Sequence, residues 1–277
     1  MNKFFLEILL QITGITAASG IHYQDEKIYL VSDQSDFLYE YQLPTESLNK
    51  YALTPNASEN NSKKTKRDYE AMAAVGTNLY LFGSGSKPNR EILTEFSTQT
   101  KEVKNLPLDL LYPAIASFAE LEQDELNIEG ALFKNNELLL FNRGNGKQNK
   151  NFIATVQGED FTEAFNLFIK DIKLPQLNGI ETGFSDAVLV DDKIYFLATA
   201  EANKSTYHDG KIAGTLFGCI DTKRYKLKYT KILTNDKKLE GLTVFKKDKK
   251  NITFLLCEDA DDNSQNVATI YKLNIKR

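Results

Sequence analysis

Five short phrases recur along the chain, each closing a polar approach and opening an apolar run: Ala18-Ser19-Gly20, Tyr69-Glu70-Ala71, Ile128-Glu129-Gly130, Phe184-Ser185-Asp186 and Leu239-Glu240-Gly241. Their central residues stand 51, 59, 56 and 55 positions apart, and counting from Glu240 through Arg277 round to Ser19 gives 56. A repeat that fills the chain without remainder points to a closed radial array, because no unit buries its faces alone and the last must meet the first. The five central side chains, Ser19, Glu70, Glu129, Ser185 and Glu240, then converge on one axis.

The residues after each phrase identify the unit. Ile21-His22-Tyr23 turns at Asp25-Glu26 into Lys27 to Val31, and Met72 to Val75 turns at Gly76-Thr77-Asn78 into Leu79 to Phe82. The other three phrases lead into Ala131 to Phe141, Ala187 to Leu197 and Leu242 to Leu256 in the same way. Short β-branched and aromatic runs broken by Asn, Asp and Gly are hairpin signals. Third strands are expected at Phe37–Tyr41, Phe152–Val156 and Ala268–Leu273, and a fourth at Tyr225–Ile232, which alternates in polarity. The fold class is therefore all-β: a five-bladed β-propeller of four-stranded antiparallel blades, one domain over residues 1–277. Asn2 to Ile12 precedes the first phrase as an outer strand precedes the others, whereas the last blade stops after three strands. The N-terminal strand is thus expected to complete the last blade and cover its edge. The apolar stretch Phe4 to Ala18 also has the look of a signal peptide, but Glu7 and Gln11 interrupt it, and it is read as a strand. Leu110 to Glu125 breaks strand alternation and is expected to hold a short helix before the third blade, where the interval is longest.

A formal net charge of −4 gives no reason to expect nucleic acid, and Lys63 to Arg67 and Lys246 to Lys250 read as solvated turns. No 18-residue apolar window exists, so no membrane span is expected. Cys219 and Cys257 fall in strands as small apolar groups, which suggests a reducing, cytoplasmic location; a monomer is expected. His22 and His208 are the only histidines, and His22 sits at a packing position.

The chemistry must come from the axis and the loops around one mouth. Glu70, Glu129 and Glu240 would crowd together with the hydroxyls of Ser19 and Ser185 between them, and either protonation or a cation must relieve the repulsion. Oxygen ligands without His or Cys favour a hard cation, and Ca²⁺ accepts six to eight oxygens in irregular geometry. The alternative is a polar, water-filled channel with raised carboxyl pKa values.

The order Ser, Glu, Glu, Ser, Glu at successive blade starts resembles that of the calcium-activated nucleotidases, or apyrases. The resemblance implies a five-bladed propeller with a central Ca²⁺ held by Ser19, Glu70, Glu129, Ser185 and Glu240. The family's loops after the second strand have partial counterparts in Asp33-Gln34-Ser35-Asp36 and Asn142-Arg143-Gly144. Its Trp-containing loop corresponds to Gly83 to Arg90, and no Trp occurs anywhere in this chain. The phrase Asn127-Ile128-Glu129-Gly130 also resembles a set of bacterial propellers. The functional expectation is a calcium-dependent hydrolase of phosphoanhydride or phosphoester bonds. In it Arg90, Arg143 and Lys204 would neutralise the oxygens of a small phosphate-bearing substrate, and Asp33 or Glu258 would position the attacking water, with Asp33 and Arg143 as the catalytic pair. The alternative is a ligand- or partner-binding propeller in which the axial cation is structural.

Overall fold

The computed structural model describes residues 4–202, 210–260 and 266–277. It is a ring of five blades, each a four-stranded antiparallel sheet. The strand β1 (Phe5–Thr13) opens the chain and belongs to the last blade. Blade 1 is β2 (Ala18–Gln24), β3 (Lys27–Ser32), β4 (Phe37–Gln42) and β5 (Ser47–Ala52). Blade 2 is β6 (Tyr69–Val75), β7 (Asn78–Gly83), β8 (Ile92–Ser97) and β9 (Val103–Pro107). Blade 3 is β10 (Ile128–Lys134), β11 (Glu137–Asn142), β12 (Phe152–Asp160) and β13 (Ala164–Asp171). Blade 4 is β14 (Thr182–Val190), β15 (Lys193–Ala202), β16 (Lys211–Asp221) and β17 (Leu227–Thr234). Blade 5 is β18 (Leu239–Lys247), β19 (Asn251–Glu258) and β20 (Val267–Lys276), completed by β1 pairing antiparallel with β20 from Phe5↔Asn274 to Thr13↔Val267. The strand expected from the opening residues is therefore the one that closes the ring, and its backbone groups satisfy an edge that would otherwise template association.

The inner strands β2, β6, β10, β14 and β18 contact one another in a closed circuit. Between blades lie five apolar clusters, built from residues such as Phe82, Phe96, Phe141, Phe184, Phe196, Phe217 and Phe254, all fully buried. Cys219 and Cys257 are buried free thiols within these sheets. The long interval before the third phrase holds the helix α1 (Leu111–Phe118) and a 3-10 turn at Gln123–Glu125. The helix buries Leu111, Tyr112, Ile115 and Ala116, and the Tyr112 hydroxyl donates to the Gly83 carbonyl at 2.8 Å, which pins it to blade 2.

Each recurring phrase has one structural meaning. In all five blades the pairing of first and second strand skips the central residue: Ala18↔Ser32 is followed by Gly20↔Val31, Tyr69↔Gly83 by Ala71↔Phe82, Ile128↔Asn142 by Gly130↔Phe141, Phe184↔Ala198 by Asp186↔Leu197, and Leu239↔Glu258 by Gly241↔Cys257. Ser19, Glu70, Glu129, Ser185 and Glu240 are thus the extra residues of five β-bulges, a device that frees a side chain from strand alternation and re-aims it. The residue after the bulge is small in four blades because the strands close in there. A Cβ on Gly241 would lie 2.5 Å from Cys257 Sγ and 2.9 Å from the Ile21 backbone nitrogen. Blade 4 carries Asp186 instead, whose carboxylate accepts from the backbone N–H of Ala187 at 2.7 Å and of Leu242 at 2.6 Å, tying blade 4 to blade 5.

Candidate functional site

Three sets of equivalent positions meet at the charged mouth of the axis. The bulge residues form one. The residues two places earlier form a second: Ala17, Asp68, Asn127, Gly183 and Lys238. The residues one place beyond the second-strand partner of the residue before each bulge form a third: Asp33, Ser84, Arg143, Thr199 and Asp259. Identical backbone positions carry different chemistry in each blade, and the site is the sum.

On the side of blades 3 to 5 each carboxylate contacts a base. Arg143 Nη1 donates to both oxygens of Glu129 at 3.0 and 2.9 Å and reaches Glu240 at 3.5 Å, while Nη2 donates to Glu201 at 2.7 Å. Its stem crosses the bare backbone of Gly183, where a Cβ would sit 2.4 Å from Arg143 Cγ. Lys238 Nζ lies 3.0 Å from Glu240 and 2.7 Å from Asp259. Burial disfavours the Arg143 charge, but Glu129, Glu201 and Glu240 outweigh it and hold the guanidinium pKa above its ordinary value. Burial pushes the Glu129 carboxyl up, opposed by Arg143 and Lys238. The ring serines bridge blades: Ser19 Oγ donates to the Tyr69 carbonyl at 2.5 Å and Ser185 Oγ to the Leu239 carbonyl at 2.8 Å.

Blades 1 and 2 build the other half. Asp68 accepts from Ser84 Oγ at 2.5 Å and Arg90 Nη1 at 2.6 Å, and its second oxygen lies 2.5 Å from Lys66 Nζ. Lys66 also donates to Asp33 Oδ2. Burial works against the Lys66 charge, but Asp68, Asp33 and Glu70 outweigh it and raise its pKa. Asp33 Oδ1 is buried and accepts no hydrogen bond among the described residues. Burial, reinforced by Asp259 and Asp68 and opposed by Lys66, pushes Asp33 up to about 6. Glu70 stands beside this pair, driven well above the carboxylate range by burial first and then by Asp68, Glu240, Glu129 and Asp33. One carboxylate oxygen each from Asp33, Asp68 and Glu70 lies within 4.8 Å of the other two.

The expected ring residues therefore meet at one mouth but divide in role. Glu129 and Glu240 face Arg143 and Lys238, the serine hydroxyls point at backbone carbonyls, and Glu70 joins Asp33 and Asp68. Arg90, expected to meet phosphate, is 2% exposed and held by Asp68, Ser86 at 2.8 Å and the Lys63 carbonyl at 2.9 Å. Arg143 is 3% exposed, with Nη1 and Nη2 both donating to carboxylates. Glu258 accepts from Lys237 at 3.1 Å and from the Tyr271 hydroxyl, at the end of β19. Lys204 and His208 lie outside the described residues. Asp68, Lys66 and Lys238 join the site without having been expected from sequence; the signal for two of them was their place two residues before a bulge, as Asp68 precedes Glu70 and Lys238 precedes Glu240. A cleft of about 560 Å³ opens between blades 3 and 4, floored by Arg143 and Glu201.

Three solved structures of similar fold are remote in sequence. Myxococcus xanthus glutaminyl cyclase is 11% identical over 98% of this chain and 97% of that one, with a TM-score of 0.57. The major Malassezia sympodialis allergen Mala s 1 is 9% identical over 95% of each chain, with a TM-score of 0.54. A luciferin-regenerating enzyme is 9% identical over 98% of this chain and 95% of that one, with a TM-score of 0.53. At such identities the likeness shows the fold alone. No curated protein matches the sequence. The DUF6929 family, described as a family of unknown function, matches residues 14–275, and the chain belongs to it.

Proposed function

We propose that this propeller is a cation-centred binding protein: Asp33, Asp68 and Glu70 hold one divalent cation, Ca²⁺ by the chemistry of the donors, and a small molecule docks on the same face. The observation that carries this reading is the three-carboxylate cluster with a buried oxygen of Asp33 left without a hydrogen bond. Among the described residues at this mouth, Asp33, Asp68, Glu70, Glu129, Glu201, Glu240 and Asp259 face only Lys66, Arg90, Arg143 and Lys238. Carboxylates exceed bases on both sides of the mouth, but only on the side of blades 1 and 2 does a carboxylate, Glu70, make no ion pair among the described residues while a buried oxygen of Asp33 accepts no hydrogen bond. All-oxygen donors suit a hard cation. The test is thermal unfolding with Ca²⁺ and with chelator: a calcium-dependent rise that vanishes in Glu70→Gln supports the reading, and indifference to both additions defeats it.

A second reading adds hydrolysis. It is favoured by Asp33, a carboxyl poised near neutrality beside the cluster, a state that suits a group taking a proton from water. A bound cation would supply charge stabilisation of the attacked oxygen. Hydrolysis of phosphoesters in particular, the apyrase-like form, must do without Arg90 and Arg143 as free phosphate donors, since both are buried in carboxylate pairs. A panel of nucleotides, sugar phosphates and simple esters, assayed with and without Ca²⁺, separates the enzyme from the binding module.

A further inference from the structure

We infer that the cleft between blades 3 and 4 is a recognition pocket for a small polyhydroxylated molecule bearing an amine, of amino-sugar size, with Glu201 as the anchoring carboxylate, and that it rejects phosphates. The cleft has a volume of about 560 Å³, inside the usual span for ligand sites of about 300–1,000 Å³. Its wall includes the side-chain amides of Asn149 and Gln176 and the exposed backbone of Gly179, with the buried backbone of Gly144 and Gly183 behind them. Such a lining matches hydroxyl groups on a ligand.

The floor sets the sign of charge. Arg143 is set against Glu129, Glu201 and Glu240, the last of which also lies 3.0 Å from Lys238, and its Nη1 and Nη2 donors point at those carboxylates. An incoming phosphate would have to displace a carboxylate from Arg143 and then sit beside it, which costs the pairing of a buried ion. An ammonium meets the opposite situation. Glu201 accepts at Oε2 from Arg143 and at Oε1 from the Gly210 backbone N–H, one partner on each oxygen among the described residues, whereas a carboxylate has about four acceptor positions. Glu181, exposed at the rim, adds a second negative charge to the cleft.

This inference rests on the reading of the face as ligand-binding but not on the cation, so it is tested in both calcium-loaded and chelated full-length protein. Calorimetric titration with glucosamine, glucose and glucose 6-phosphate, at slightly acid pH where the amine is charged, gives a charge series on one ring. We expect glucosamine to bind at least tenfold tighter than glucose, and glucose 6-phosphate to give no measurable heat. Glu201→Gln should erase the preference for the amine, and Glu181→Gln, an exposed change that leaves the fold intact, should reduce it severalfold. Binding of glucose 6-phosphate as tight as glucosamine, no binding of any of the three, or an unaltered preference in Glu181→Gln would overturn the inference. The cation reading fails separately, if Ca²⁺ leaves the melting temperature unchanged.

Discussion

The two halves of the charged mouth are built on the same backbone positions yet reach different electrostatic ends. In blades 3 to 5, Arg143 and Lys238 are interleaved with Glu129, Glu201 and Glu240. In blades 1 and 2, Lys66 and Arg90 serve Asp33 and Asp68, an oxygen of Asp33 is left bare, and Glu70 is driven toward its neutral form. A propeller axis can thus pair every carboxylate with one of its own cations on one side and leave one without such a partner on the other. The shortfall, rather than the full ring of five bulge residues, marks where an external cation would stabilise the protein.

The largest expected effect breaks the closed half. Arg143→Met leaves Glu129, Glu201 and Glu240 buried against one another, and losing one partner of a buried ion network costs roughly 3–5 kcal/mol. Urea unfolding should show this loss, and Ca²⁺ should not restore it.

Lys66→Met probes the open half and should behave differently. It destabilises in chelator, but Ca²⁺ at a hundredfold excess over its dissociation constant should return about 2.7 kcal/mol, because the cation then meets the same carboxylates. Equal calcium rescue of Arg143→Met and Lys66→Met would erase the distinction drawn between the halves.

The opposite, apolar end of the axis supplies a pH-dependent control. A cavity of about 330 Å³ there is lined by His22 among residues such as Met72, Leu132 and Val188. Burial lowers the His22 pKa from 6.5 to about 4, with the Gln24 side chain acting the other way. Folding therefore favours neutral imidazole: the contribution is complete above pH 6.5 and is lost as pH falls toward 4, by up to about 3 kcal/mol. The buried carboxyls respond in the opposite sense, so the quantity to measure is the difference in unfolding free energy between wild type and His22→Gln at neutral and acid pH. That difference should shrink or reverse on acidification.

The smallest effect compares two like residues across the halves. Ser19→Ala and Ser185→Ala each remove one blade-to-blade hydrogen bond, worth about 1 kcal/mol and leaving a buried carbonyl with fewer donors. Similar losses in denaturant midpoint are expected, both independent of Ca²⁺, since neither hydroxyl faces the proposed cation.

The fold was legible because five phrases impose one bulge per blade, and a bulge needs a small neighbour and a free side chain, which the sequence displays as Ser or Glu followed mostly by Gly or Ala. The closing strand was legible from the unpaired edge of β20, and α1 from the break in alternation around Leu111. The division of the site was not. Whether Glu129 meets a metal or an arginine depends on Arg143 crossing from blade 3 over Gly183 of blade 4, a contact set by three-dimensional neighbours rather than by spacing. Lys66 sits in a basic run that reads as a solvated turn, yet it is buried between Asp33 and Asp68. Arg90 lies in a Gly- and Ser-containing loop whose turn folds it inward onto Asp68.

A cation held by the open half of the mouth is best tested by anomalous diffraction from crystals soaked in terbium, a calcium substitute with a strong signal. One axial peak ligated by Asp33, Asp68 and Glu70 is expected. A peak ligated by Glu129 and Glu240 with Arg143 displaced, or no axial peak at saturating terbium, would contradict it.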